Sequence, residues 1–280
     1  MHRNGAGDSR PSLVHTMSQT DSFARELSTL LQAPYSYIQV HTHDEARAVA
    51  LIARIAHKLG RPLRQWSVST GVDGGQRQSN PAPGDFSLLL DAVEADEDGC
   101  IYVVKEPGPH LGDPVIRRRF REMEPLIAAF GKSLVMISAI SVDWGELTSD
   151  VTELTLPMPG REELREVSET VFPALKWPDI DRERLVAAAL GLTSRQALRA
   201  FHRARLEVAT DAAAQLDRIV HDEKRRVVSR TDVVEFVENH RGLADMGGMA
   251  ALKEWLCARR DAFGTRAREF GLPVPKGLLL

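Results

Sequence analysis

The spacing of apolar and polar positions divides the chain into two regimes. Up to about residue 172, short apolar runs alternate with helical periodicity; beyond Asp181 only the helical period remains. Asp21 to Leu31 sets Phe23, Leu27, Leu30 and Leu31 on one helical face. Tyr35 to Val40 (YSYIQV) is aromatic and β-branched, a strand pattern. Thr42, followed three residues later by Glu45, matches a capping box. The helix it opens, Asp44 to Leu59, turns Ala48, Leu51, Ile52, Ile55 and Leu59 inward and closes at Gly60. Arg61 to Val68 gives a second strand. Strand, helix and strand in this order imply parallel pairing through a crossover.

Thr70 to Pro83 is rich in Gly, Ser, Asn, Gln and Pro and reads as a loop. A short helix, Asp85 to Ala95, precedes Cys100 to Lys105, a continuously apolar third strand suited to a sheet centre. The EPGPHLGDP turn leads into a helix from Asp113 to about Phe130. Ser133 to Ala139 and Val151 to Leu156 are the fourth and fifth strands, and PMPG breaks the chain before a helix from Arg161 to Phe172. Helical segments follow at Asp181–Leu190, Ser194–Val208, Asp211–Val227 and Asp232–Glu238, with Thr193 as an N-cap. The pattern predicts an α/β fold: a parallel-sheet, three-layer core, then a helical lid and a short helical extension. The expected divisions are a disordered tail over 1–20, the core over 21–175, the lid over 176–240 and a last segment over 241–280.

Composition narrows the function. The chain has 280 residues, 43% hydrophobic and 27% charged, which suits a soluble globular protein. A net charge of −3 argues against a generic polyanion binder. The opening residues lack the apolar segment of a secretory signal, and no apolar run reaches transmembrane length, so no membrane contact and a cytoplasmic location are expected. Cys100 in an apolar strand and Cys257 in an amphipathic helix read as core or half-buried thiols.

Five segments carry a resemblance: LGRPLRQWSVSTG (59–71), IYVVKEPGPHLGDPVIRRR (101–119), LPMPGREELREV (156–167), ALGLTSRQA (189–197) and, at the end, DMGGMAALKEWL with REFGLPVPKGLLL. In this order and spacing the chain resembles an AAA-type ATPase family found in some plastid genomes and widely in bacteria. In that family a degenerate AAA-like region precedes a complete ATPase domain that carries the nucleotide site. The resemblance implies a P-loop-like core. For the full-length protein it implies ATP and Mg²⁺, hydrolysis, and remodelling of a client whose identity the sequence does not reveal. It also implies self-association or assembly with AAA subunits. Gly277 to Leu280 reads as the first strand of the second domain, so the chain is expected to stop one motif short of the phosphate-binding loop, with residues after about Arg266 loosely held.

A phosphate-binding loop needs G-x-x-x-x-G-K-[ST], whose glycines let backbone N–H groups wrap the phosphates. No such string occurs. The turn after the first strand is His41-Thr42-His43-Asp44-Glu45, with no glycine or lysine, and Asp44 and Glu45 are expected to fill the positive end of the helix that an anion would use. A Walker B strand ends in Asp-Glu; here the third strand ends in Lys105-Glu106, a charge reversal where Mg²⁺ would be held. Thr42, Asp44, Glu45, Lys105 and Glu106 are therefore degenerate site positions. No catalytic residue, metal ligand or cofactor is assigned to this chain, and Lys105 is expected to neutralise the Asp44/Glu45 pair. The competing function is a non-catalytic interaction or regulatory module that assembles with complete AAA subunits.

Three other clusters weigh less. His41, His43 and Asp44 could meet at a metal, but turn histidines are the plainer reading. His221-Asp222-Glu223 reads as a solvated helix face. Arg117, Arg118, Arg119 and Arg121 form a basic stretch, and Lys224, Arg225 and Arg226 another. Without interleaved aromatics neither argues for nucleic acid.

Overall fold

The computed structural model describes residues 18–33, 35–73, 85–172, 179–207, 218, 220, 222–226, 247–259, 262, 267, 270 and 271. These fall into a first unit ending at Arg226 and a second beginning at Val227. In the first unit six strands form one sheet: β1 (Tyr37–His41), β2 (Leu63–Ser67), β3 (Gly71–Asp73), β4 (Ile101–Lys105), β5 (Ser133–Ser138) and β6 (Val151–Thr155). Their order is β3-β2-β4-β5-β1-β6. All neighbours are parallel except β2 and β3.

The period of two along each strand builds two cores, one per sheet face. Tyr102 and Val104 of β4, with Leu134 and Met136 of β5, meet Phe86, Leu89 and Leu90 of α3 (Phe86–Ala95) and Phe120 and Ile127 of α4 (Pro114–Ala129). Ile101 and Val103, with Val135 and Ile137, face the other way. They meet Leu27 of α1 (Gln19–Gln32) and Ile52 and Ile55 of α2 (Glu45–Leu59). Each such side chain contributes roughly 1.5–3 kcal/mol by leaving water. The α/β, three-layer, parallel-sheet core read from the sequence is present. Beyond it lie α5 (Arg161–Val171), α6 (Asp179–Ala189) and α7 (Ser194–Glu207), which bury Leu164, Leu185, Val186 and Phe201.

Three expectations are corrected. Gly71–Asp73, expected within a loop, pairs antiparallel with β2 as β3; the turn between them is tied by Ser67 and Thr70 hydroxyls 2.7 Å apart. The α1 helix starts at Gln19, inside the expected tail, because the Ser18 hydroxyl caps it by accepting the Asp21 N–H at 3.0 Å. Cys257, expected at least half-buried, is exposed on α8 (Ala250–Arg259) of the second unit, whereas Cys100 is buried. The predicted helix Asp232–Glu238 and strand Gly277–Leu280 lie outside the described residues, as does most of Asp211–Val227.

The strand order fixes where a site can form. From β1 the chain passes through α2 to β2 on one side. From β5, the direct neighbour of β1, it passes to β6 on the other side. Connections leaving adjacent strands in opposite directions open a crevice at their carboxyl ends. His41 and Ser138 end those two strands side by side.

A charged crevice at the carboxyl end of the sheet

The turn from β1 into α2 is held by its own backbone and by the lid. The Thr42 N–H donates to the Ser138 carbonyl at 2.9 Å, prolonging the β1–β5 ladder by one residue. The Thr42 hydroxyl accepts the Asp44 N–H at 3.0 Å. Asp44 stands at the N-cap position of α2 but makes no side-chain cap there. Its carboxylate turns to α7 and accepts the Ser194 N–H at 2.7 Å, and the side chain is buried, 6% exposed. The rest of the α7 start is satisfied by a reciprocal box. Thr193 Oγ1 accepts the Gln196 N–H at 3.2 Å, and Gln196 Oε1 accepts the Thr193 N–H at 2.8 Å.

This corrects two expectations. The capping box sits at Thr193 and Gln196, not at Thr42 and Glu45. Asp44 accepts its side-chain hydrogen bond from α7 and none from the helix it precedes. Glu45 does remain in the first turn of α2, and Lys105 at the end of β4 meets it, Nζ to Oε1, at 3.3 Å. Lys105 thus neutralises Glu45, as expected from the sequence, while Asp44 is engaged elsewhere.

Glu106 follows in the left-handed region, φ +51°, which a residue with a Cβ rarely adopts. Its N–H donates to the Ile137 carbonyl at 2.8 Å, which holds the chain across the end of β5, and its carboxylate is exposed. Glu45, Lys105 and Glu106 line a cleft of about 350 Å³ with Trp66, Ser67 and Thr70. All five degenerate positions therefore lie at one end of the sheet. Three share the cleft, Asp44 serves the lid, and Thr42 ties the turn to β5.

The other clusters resolve differently. His41 turns to Glu153 on β6, Nε2 to Oε2 3.3 Å, and His43 is exposed, so the two histidines and Asp44 do not converge. Asp96, Asp98 and Cys100 bring ligand atoms within 4.8 Å of one another, a grouping the sequence reading missed although its spacing, i, i+2, i+4, was visible. The cation there is already Arg64, whose Nε lies 3.0 Å from Asp96, and Tyr102 donates its hydroxyl to the same carboxylate. The basic stretch on α4 is not one face. Arg119 reaches Asp91 and Glu94 on α3, whereas Arg121 reaches Glu146. Arg225 and Arg226 pair with Asp222 and Glu223 one helical turn away; His221 lies outside the described residues.

Sequence reasoning also missed the joint beneath the lid. Arg47 of α2 forks onto Glu163 of α5 at 2.8 and 2.9 Å and donates to the Pro157 carbonyl at 2.6 Å. Thr20 of α1 donates to the same carboxylate at 2.8 Å, and the Gly160 N–H does so at 3.0 Å. Burial opposes the Glu163 charge, but the bonds from Arg47, Gly160 and Thr20 outweigh it and hold its pKa below the usual value. The local signal was Glu163 at the third position of a helix that opens after Gly160.

Residues 23–156 match the family described as SpoVK-like AAA ATPase, N-terminal domain. The chain is similar to the uncharacterized AAA domain-containing protein ycf46 of Guillardia theta, 28% identical over 264 residues, covering 92% of this chain and 52% of that protein. The protein of the same name from Trieres chinensis is 25% identical over 271 residues, covering 92% and 53%. The chain thus spans about half the length of these curated relatives. Among solved structures, C. elegans PCH-2 superposes with a TM-score of 0.47 at 8% identity, over 75% of this chain and 70% of that one. Among the described residues no helix is long and apolar enough to cross a membrane.

Proposed function

We propose that this chain, an AAA-type ATPase family member through the N-terminal domain at residues 23–156, is the catalytically empty portion of its protein. In this reading ATP and Mg²⁺ are used by other parts of a full-length protein, or by complete AAA subunits with which this portion assembles, to remodel a client protein. The observation that carries it is the Asp44–Ser194 bond. The N-terminus of the helix after the first strand is a natural seat for a phosphate; at α2 that position holds the buried Asp44 carboxylate, tied to the Ser194 N–H of α7.

The remaining residues fit a Mg²⁺-triphosphate no better. The Thr42 and Asp44 N–H groups are spent on Ser138 and Thr42, so they are not free to wrap phosphate oxygens. At the end of β4 the ammonium of Lys105 sits where a divalent cation would need a carboxylate, and its partner is Glu45. The chain's own residues pin the turn, close the lid onto it and cancel the local charge. Titration calorimetry with Mg-ATP tests the reading: the expected result is no binding tighter than about 1 mM, a free energy near −4.1 kcal/mol. Micromolar affinity would refute it.

A further inference from the structure

A second concave surface lies apart from the crevice and shares none of its residues. It is a cleft of about 460 Å³ between the first turns of α4 and the short helical turn at Gly145–Leu147. Its lining carries three arginines, Arg117, Arg118 and Arg121, and one acidic residue, Glu146. We propose that this cleft binds an acidic peptide segment, a run of consecutive Asp and Glu residues on a partner protein.

The arginines are placed rather than merely near. Arg117 is anchored by its Nε–H, which donates to the Leu111 carbonyl. That leaves its outer nitrogens without a hydrogen-bond acceptor among the described residues. Gly145 has φ +53°, and a Cβ at that position would stand 3.0 Å from Arg117 Nη1. The glycine thus lets the guanidinium lie against the backbone. Arg121 is held by the Glu146 carbonyl at 2.6 Å. Its contact with the Glu146 carboxylate is long, 3.4 Å, and solvated, with the two side chains 44% and 88% exposed. Such a pair is worth little, so an incoming carboxylate displaces Glu146 at small cost. Arg118 pairs with Glu122 on the same helix, also exposed.

The donors are side-chain guanidinium groups and not the backbone N–H groups of a phosphate nest. Phosphate cradles are built from spare backbone N–H groups, and this cleft lacks the obvious ones. The Val115 N–H is capped by Asp113 at 2.8 Å, Pro114 has no N–H, and the Gly145 N–H goes to Asp143 at 3.0 Å. What is left is three guanidinium forks, each able to match a carboxylate in a bidentate manner, as it also could a phosphate; a run of acidic side chains engages all three at once. Exposed Pro114 adds an apolar surface for side-chain methylenes, and exposed Val115 stands beside it.

The test is fluorescence anisotropy of a labelled Glu/Asp hexapeptide with the full chain, against a Lys hexapeptide of equal length. Saturable binding of the acidic peptide that weakens as salt is raised is expected. The exposed double variant Arg118→Glu/Arg121→Glu should weaken it by about tenfold or more. Glu146→Gln, which removes the internal competitor, should tighten it roughly two- to fivefold. Inorganic phosphate at matched ionic strength should compete far more weakly than unlabelled acidic peptide, which spans all three arginines. The proposal is overturned by no acidic-peptide binding, by binding indifferent to both variants, by phosphate competing as well as the peptide, or by a single-stranded oligonucleotide that uses these arginines while the peptide does not.

Discussion

Asp44 and Ser194 are 150 residues apart, and the carboxylate of the first receives the backbone N–H of the second at 2.7 Å in a buried setting. The bond joins the turn after β1 to the start of a lid helix. A charged hydrogen bond of this kind contributes about 1.5–3 kcal/mol. Asp44→Ala is expected to cost that amount in urea unfolding and to speed amide exchange at Ser194. Asp44→Asn keeps an acceptor and should lose less. Unchanged exchange at Ser194 in the alanine variant would show that the lid does not depend on Asp44.

Lys105 and Glu45 meet at 3.3 Å with much of the pair in solvent. Exposed pairs contribute about 0–1 kcal/mol, so Lys105→Ala should change stability little. Lys105→Asp sets a new carboxylate beside Glu45 and Glu106 and should lower the melting temperature at low salt. Raising the salt should restore most of the loss. An unchanged melting temperature at low salt would contradict the pairing.

The depressed pKa of Glu163 fixes the sign of a pH effect. The native state holds this carboxylate ionised below its ordinary value of 4.5, so in that acid window the unfolded chain binds more protons. The stabilisation is fully present above about pH 4.5 and fades as pH falls through the lower native pKa. Stability of the parent protein should therefore rise with pH across that window more steeply than that of Glu163→Gln, as read from urea midpoints at several pH values. Parallel profiles would remove Glu163 from the account.

Gln39 is fully buried on β1, and its Oε1 has no donor among the described residues. Its Nε2 reaches only the neighbouring Val40 carbonyl, at 3.5 Å. An unpaired buried polar atom is costly, so Gln39→Leu is expected to stabilise by about 1 kcal/mol. A drop in stability would mean that Oε1 has a partner, such as a buried water.

What the sequence made legible follows from range. Strands β4 and β5 were plain because both faces are covered, which demands unbroken apolar runs such as Ile101–Val104. The Lys105–Glu45 contact could be foreseen because both residues end up at the carboxyl edge of a parallel sheet. Strand β3 was hidden because three residues, Gly-Val-Asp, carry no period. The cap moved from Thr42 because the Thr42 N–H extends the ladder to β5, a contact 96 positions downstream of it that no local pattern announces. The partition of the α4 arginines was hidden too. Successive helix positions turn by about 100°, so Arg119 and Arg121 serve different neighbours. The bond that defines the crevice, between Asp44 and Ser194, joins segments that only the folded chain brings together.

The most direct test is a crystal structure of this chain grown with saturating Mg-ATP. The expected result is an unaltered crevice, with Asp44 still on the Ser194 N–H and Lys105 on Glu45. Density for a triphosphate between Thr42 and Glu106, with Asp44 displaced from the lid, would contradict it.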